Sequence, residues 1–258
     1  MKKPTPKDIF LATPCMGEVD YKYHMSCIRL SNACASAGVS INHHVIVSSL
    51  LTRARNNCVA SFLDSDFNNF LFVDSDIQFD PATAFKLLNS PHDVAIVPYP
   101  LKWVNWEKSK NGILNLPKGK IQNMANSYTL RKVDPNGAPD EDGFLEVEHS
   151  TTGFMLIRRG VFDKMIEAYP NLKIRNGSLT EKGIEDQDNC YNFFDCIFDE
   201  EKGLYHGEDF SFCKLWRAIG GKIHCYVDDY IAHCGRHEFI GRYRDEYNYD
   251  FSAPVESA

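Results

Sequence analysis

The chain has 258 residues, of which 43% are hydrophobic and 24% charged, the make-up of a globular protein that can bury an ample core. The opening MKKPTPKDIFLATP holds too short an apolar run for a signal peptide, and no later run reaches the length of a membrane span. A net charge of -7 argues against non-specific nucleic-acid binding by the molecule as a whole.

Asp8 to Thr13 reads as a first strand, ending in Thr13-Pro14-Cys15. A helix is expected from about Tyr23 to Ala37, broken by Gly38, and a second strand from Ile41 to Ser48 with His43 and His44 on opposite faces. Thr52 to Leu63 has helical spacing, with Ala54, Cys58, Val59 and Phe62 inward. Its first turn carries Arg53, Arg55 and Asn56. Arginine there opposes the helix dipole, which points either to an anion as partner or to a solvated basic patch.

Phe70 to Val73 is apolar with aromatic and β-branched character, as in a buried strand of a mostly parallel sheet. It stops in Asp74-Ser75-Asp76. Two carboxylates one residue apart at the carboxyl end of such a strand sit where open α/β sheets place ligands, and there they can share a divalent cation; the alternative is an acidic loop capping a strand. Asp80 and Pro81 suit the N-cap and first position of the next helix, and Asp93 to Tyr99 reads as a further strand.

The segment 101–148 has weak periodicity and turn signals at Asn111-Gly112, Pro135-Asn136-Gly137 and Pro139-Asp140, and is expected to be a loop-rich insertion. Its first part carries Lys102, Lys108, Lys110, Lys118, Lys120, Arg131 and Lys132 against Glu107 alone, interleaved with Trp103 and Trp106. After it come a strand at Phe154 to Ile157, a helix at Gly160 to Ala168, and residues 171–207 without a clear period. Glu208 to Ile219 is an amphipathic helix with Phe212, Leu215, Trp216 and Ile219 on one face, Lys222 to Val227 a last strand, and a Tyr-rich tail starts at about residue 236. The βα alternation predicts an α/β fold with a doubly wound, mainly parallel mixed sheet flanked by helices, in a single domain over 1–258. Nine cysteines without CxxC pairs fit a reducing, cytoplasmic setting, and His224, Cys225, His233, Cys234 and His237 lack the tight ligand pairs of structural zinc.

The order of motifs, Ala54-Arg55-Asn56, Asp74-Ser75-Asp76, Thr152-Gly153, Gly207-Glu208-Asp209 and His233-Cys234-Gly235, resembles the GT-A fold glycosyltransferases. The likeness is to family-2-like members and to the compact versions carried by bacteriophages and large DNA viruses. It implies transfer of a sugar from a nucleoside-diphosphate sugar to an acceptor hydroxyl, assisted by Mn2+ or Mg2+ at the leaving diphosphate. On that resemblance Asp76 is the direct metal ligand, Asp74 contacts ribose or metal, and His233 completes the metal or diphosphate site. Arg55, with Arg53, Asn56 and Ser75, lies along the nucleotide sugar, and Thr13 with Cys15 lines the base pocket. Asp209 is the general base of an inverting reaction with Glu208 beside it, although both acids also suit a helix N-terminus. Thr152, Gly153, Trp103 and Trp106 fall to the acceptor, which is DNA bearing a hydroxymethylated base, a glycan or a protein.

Two other classes share parts of this pattern. Phosphatases of the haloacid dehalogenase type also end an apolar strand in DxD, and Asp228-Asp229 imitates their late acidic pair; in them, however, the motif usually ends the first strand, whereas here it ends the third. A non-catalytic sugar-nucleotide or nucleic-acid binding module would keep the binding residues without need of Asp209.

Overall fold

The computed structural model describes residues 7–105, 126–174 and 189–247. Trp106, Lys108 to Lys120 and the tail from residue 248 onward lie outside the described residues. Strand β1 (Asp8–Cys15) leads into helix α1 (Tyr21–Ala37), β2 (Ser40–Val47), α2 (Leu51–Leu63) and β3 (Asn69–Val73). A two-residue strand β4 (Ile77–Gln78) follows, then α3 (Pro81–Asn89) and β5 (Val94–Ile96). Further along are β6 (Leu130–Lys132), β7 (Phe144–Ser150), β8 (Phe154–Arg158) and α4 (Arg159–Ala168). The last part holds a hairpin of β9 (Ile197–Asp199) and β10 (Leu204–His206), then α5 (Glu208–Ala218), β11 (Ile223–Tyr226), β12 (Ile231–His233), β13 (Phe239–Gly241) and α6 (Tyr243–Tyr247).

Helix starts follow from local chemistry. Asp20 caps α1 by accepting from the Lys22 amide at 2.8 Å, and Asp80 caps α3 by accepting from Ala82 at 2.9 Å ahead of Pro81. Gly38, at φ 66°, closes α1 in the left-handed conformation that glycine adopts without strain.

The eight-stranded main sheet runs in the order β2-β1-β3-β8-β5-β11-β7-β6. β1 is parallel to β2 and β3, and β5 is parallel to β11, while β8 and β7 run against their neighbours, so six of the eight strands share one direction. Alternation along the central strands splits the core between the two faces of the sheet. Phe10, Ala12, Phe70 and Phe72 pack against α2, α4 and α5. Ile9, Leu11, Leu71 and Val73 pack against α1 and α3. The expected α/β, doubly wound and mainly parallel sheet is thus the one formed, and Phe70 to Val73 is buried on both sides.

The expectation of a loop-rich insertion over 101–148 fails in its second half. β6 and β7 form the edge of the main sheet, with Phe144, Leu145 and Val147 buried against it. Two glutamates hid this strand from a reading of hydrophobic pattern. Both are paired: Glu146 accepts from Lys222 at 2.9 Å and Glu148 from Arg131 at 3.0 Å. Residues 197–206, read as aperiodic, form the β9–β10 hairpin. His224 stacks on His92 with ring centroids 3.7 Å apart, and among the described residues no group of three or more His, Cys, Asp or Glu gathers as a metal cage.

A second, three-stranded sheet, β13-β12-β4, positions the acidic turn. β4 follows that turn at once and pairs antiparallel with β12, setting His233 opposite Ile77. The Cys234 amide donates to the Asp76 carbonyl at 2.7 Å, fastening the end of the ladder.

Candidate functional site

The chain passes from β1 to β2 on one side and returns to β3 on the other, so sheet growth reverses between β1 and β3. In open α/β sheets the carboxyl edge at such a reversal is where ligands bind. Thr13 to Cys15 close β1 there and Asp74 to Asp76 leave β3. The Asp20 amide donates to the Ser75 carbonyl at 2.8 Å, bringing the two loops together.

Arg55, on the inner face of α2, is 2% exposed and links two of the motifs. Its Nη2 lies 3.1 Å from Asp74 Oδ1, and its Nε donates to Glu208 Oε1 at 3.0 Å. Burial opposes its charge, but Asp74 and Glu208 outweigh burial and hold it firmly protonated. Nη1 is buried without a hydrogen-bond partner among the described residues. Tyr99, placed between two prolines at the end of β5, brings its hydroxyl to 3.5 Å from Asp74 Oδ2. Burial, and then the Asp74 charge, push its pKa well above the usual range, so it remains a donor. Gly153 fits beneath this pair: a Cβ there would overlap the Tyr99 hydroxyl and stand 2.6 Å from Asp74 Oδ2. Glycine at 153 therefore serves close packing of Asp74 and Tyr99, and the Asp74 amide donates to the Gly153 carbonyl at 2.9 Å.

Asp76 faces other partners. Its Oδ2 is 3.5 Å from His233 Nε2 and accepts from Lys102 Nζ at 2.5 Å. Burial raises the Asp76 pKa, but the hydrogen bonds from His233 and Lys102 prevail and hold the carboxyl below its ordinary value. His233 Nδ1 is 2.9 Å from the Pro100 carbonyl, which can only accept, so Nδ1 carries a proton and Nε2 is the atom turned to Asp76. Protonated, Nε2 donates to that carboxylate; neutral, it presents a lone pair to it. The two acids of the turn thus divide, Asp74 to Arg55 and Tyr99, Asp76 to His233 and Lys102.

The N-terminus of α5 supplies the remaining acids. Asp209 Oδ1 accepts from the Phe210 amide at 2.7 Å, and Gly207 leaves room for it, since a Cβ there would lie 3.0 Å from Oδ1. Burial first, then the Glu208 charge, raise the Asp209 pKa. The contact of the adjacent Glu208 with Arg55 brings the start of α5 to the same edge.

Of the other expected site residues, Cys15 is buried at the end of β1, and the Thr13 hydroxyl is taken up inside the fold, 2.5 Å from that of Tyr23. Thr152 is buried with its hydroxyl unpartnered among the described residues. Trp103 is half exposed beside Lys102. Arg53 is half-buried on α2. Asn56 is engaged by the chain itself: it donates to the Phe194 carbonyl at 3.0 Å and to Asn192 Oδ1 at 3.0 Å, and accepts from the Phe194 amide at 2.9 Å. Helical spacing put Asn56 next to Arg55 but could not show that it faces residues 192–194. Asn56→Ala is expected to cost about 1–3 kcal/mol in urea unfolding, because it strands buried backbone groups. Wild-type stability in that variant would show that the contacts to residues 192–194 contribute nothing to the fold.

Tyr99 and Lys102 were not singled out as site residues from the sequence. A Tyr between prolines at the carboxyl end of a strand marks the same edge as the acidic turn, whereas Lys102 was indistinguishable from its neighbours in a basic run. A cavity of about 290 Å3 lies elsewhere, where β5 and β11 begin, lined by His92, Lys164, Trp216 and Lys222 among others, and it contains none of these site residues.

Fold and site together define an α/β protein with a doubly wound, mainly parallel mixed sheet and a polar, charge-balanced cluster at the reversal of strand order. No protein-family model and no curated protein matches the chain. Among solved structures, A197 from STIV is 15% identical with a TM-score of 0.45, over 96% of this chain and 98% of that one. A glycosyltransferase involved in the glycosylation of the major capsid of PBCV-1 is 11% identical with a TM-score of 0.33, over 65% of this chain and 67% of that one. The 4-diphosphocytidyl-2C-methyl-D-erythritol synthase from Anaerococcus prevotii is 10% identical with a TM-score of 0.33, over 67% of this chain and 80% of that one. Likenesses at this level assign no activity to the chain. Among the described residues no helix is long and apolar enough to cross a membrane.

Proposed function

We propose that the protein is a glycosyltransferase that moves a sugar from a nucleoside-diphosphate sugar to an acceptor hydroxyl, with inversion at the anomeric carbon. The observation that carries this reading is the meeting, at one sheet edge, of Arg55, Asp74, Glu208 and Asp209 with the facing pair Asp76 and His233.

Arg55 Nη1 and the Tyr99 hydroxyl are donors suited to the anionic and polyhydroxyl parts of the donor substrate. Asp76 and His233 fit a divalent ion that arrives with a diphosphate and takes most of its other ligands from phosphate and water, as Mg2+ does. Asp74, turned to Arg55, does not belong to that ligand set and serves instead to fix Arg55. When bound, Mn2+ or Mg2+ neutralises the charge that grows on the departing diphosphate. Asp209, its affinity for protons raised by burial and by Glu208, takes the proton from the acceptor hydroxyl. Exposed Trp103 offers a ring for stacking the acceptor, either a hydroxymethylated DNA base or a glycan.

The phosphatase reading is disfavoured by its late acids. Asp228 is bound twice by Arg244, and the groups acting on Asp229 are Thr83, Asp80, Asp228 and Lys86, none of them in the acidic turn.

A thermal-shift screen of UDP-, GDP-, dTDP- and CMP-sugars, each with and without manganese, tests the proposal. One donor is expected to raise the melting point only when metal is present, and Asp76→Ala should abolish that shift. Equal shifts in wild type and Asp76→Ala would remove the metal assignment.

A further inference from the structure

The segment that leaves β5 reaches the metal-facing pair at three points. The Tyr99 ring packs edge-on against His233 with centroids 5.0 Å apart, the Pro100 carbonyl holds His233 Nδ1 at 2.9 Å, and Lys102 Nζ reaches Asp76 Oδ2 at 2.5 Å. Lys102 and His233 approach the same carboxylate oxygen. The lysine stem runs over Gly235, where a Cβ would stand 3.6 Å from its Cδ and Cε. The pair is partly open to solvent: the Lys102 side chain is 38% exposed and that of Asp76 34%.

A divalent ion on Asp76 Oδ2 and an ammonium at hydrogen-bond distance from the same oxygen are like charges competing for one place. The lysine is also the cation best able to move, being a compact charge on a flexible stem. We propose that Lys102 is the resident counter-cation of Asp76, displaced by the divalent ion that enters with the diphosphate and passed from the carboxylate to the diphosphate oxygens. This rests on the glycosyltransferase reading and adds a residue to it. Before donor binding, Lys102 occupies the Asp76 carboxylate and excludes free metal. After binding, it becomes a second positive contact for the leaving group, so metal and diphosphate bind together far better than metal alone.

The test uses the full chain as wild type, Lys102→Met and Lys102→Arg, with Mn2+ alone, then Mn2+ with inorganic pyrophosphate, following free Mn2+ by electron paramagnetic resonance. Lys102→Met is expected to bind Mn2+ alone about tenfold more tightly than wild type, the scale of one lost charge repulsion near a surface, while its affinity for pyrophosphate at saturating Mn2+ falls by about the same factor. Lys102→Arg should stay near wild type in both. If Mn2+ and pyrophosphate bind but wild type and Lys102→Met agree in either titration, the role of Lys102 is overturned and the functional reading stands. If Mn2+ binds none of the three proteins, with or without pyrophosphate, both fall together. Melting curves of the three confirm that each is folded, as expected for a change at a partly exposed side chain.

Discussion

Asp209→Asn is expected to lower kcat by about 10²–10⁴-fold, the usual contribution of a positioned general base, while leaving donor-induced thermal stabilisation intact. The amide keeps the shape of the carboxylate and can still accept from the Phe210 amide, so the helix start survives and only proton acceptance is lost. The pH profile of the wild type carries the same signature. Burial and the Glu208 charge raise the Asp209 pKa, so kcat should fall, as pH is lowered, at a pH above the ordinary carboxylate range. Below that pH the carboxyl already carries its proton and cannot take another; above it the base is available. Glu208→Gln removes one of the two causes and should move the acid limb downward. An unchanged kcat in Asp209→Asn would mean that the residue caps a helix and that another group takes the proton.

The second large effect is on stability. Arg55→Met leaves Asp74 and Glu208 without their shared cation, and breaking a buried ion pair from one side costs about 3–5 kcal/mol. Both acids keep some solvent contact, with side chains 23% and 15% exposed, which favours the lower end of that range. A loss of that size lowers the Tm of a chain this long by roughly 10 °C. Adding Glu208→Gln to Arg55→Met should recover part of the loss, because one stranded charge is then gone. Strict additivity of the two substitutions in urea unfolding would show that the ion pair contributes nothing beyond its separate parts.

The sheet and the outline of the site were readable because they rest on short-range pattern. Phe70 to Val73 can hardly be anything but a buried strand, and the acids after it fall at its carboxyl end whatever the rest does. The inward positions of α2, with Ala54, Cys58, Val59 and Phe62, follow from helical period alone, and all four are buried. What the sequence hid depends on partners far along the chain. Asp74 and Asp76 stand one residue apart, yet their side chains meet groups from different elements, α2 on one side and β12 on the other. Asn56 reads as an anion-binding neighbour of Arg55 until the loop at residues 192–194 is seen across from it. β7 was lost among glutamates whose partners lie elsewhere, Arg131 on β6 and Lys222 just before β11.

The ladder between β4 and β12 sets His233 opposite Ile77 and so beside Asp76, joining parts of the chain that are far apart in sequence. During synthesis the sheet reversal at β1 and β3 can form early, while the histidine that faces Asp76 is still inside the ribosome or not yet made. A nascent chain therefore carries the acidic turn without the histidine that stands beside it in the finished fold. That neighbourhood is completed late, by docking of the last strands, and a chain released before residue 231 would be a folded core with an unfinished edge.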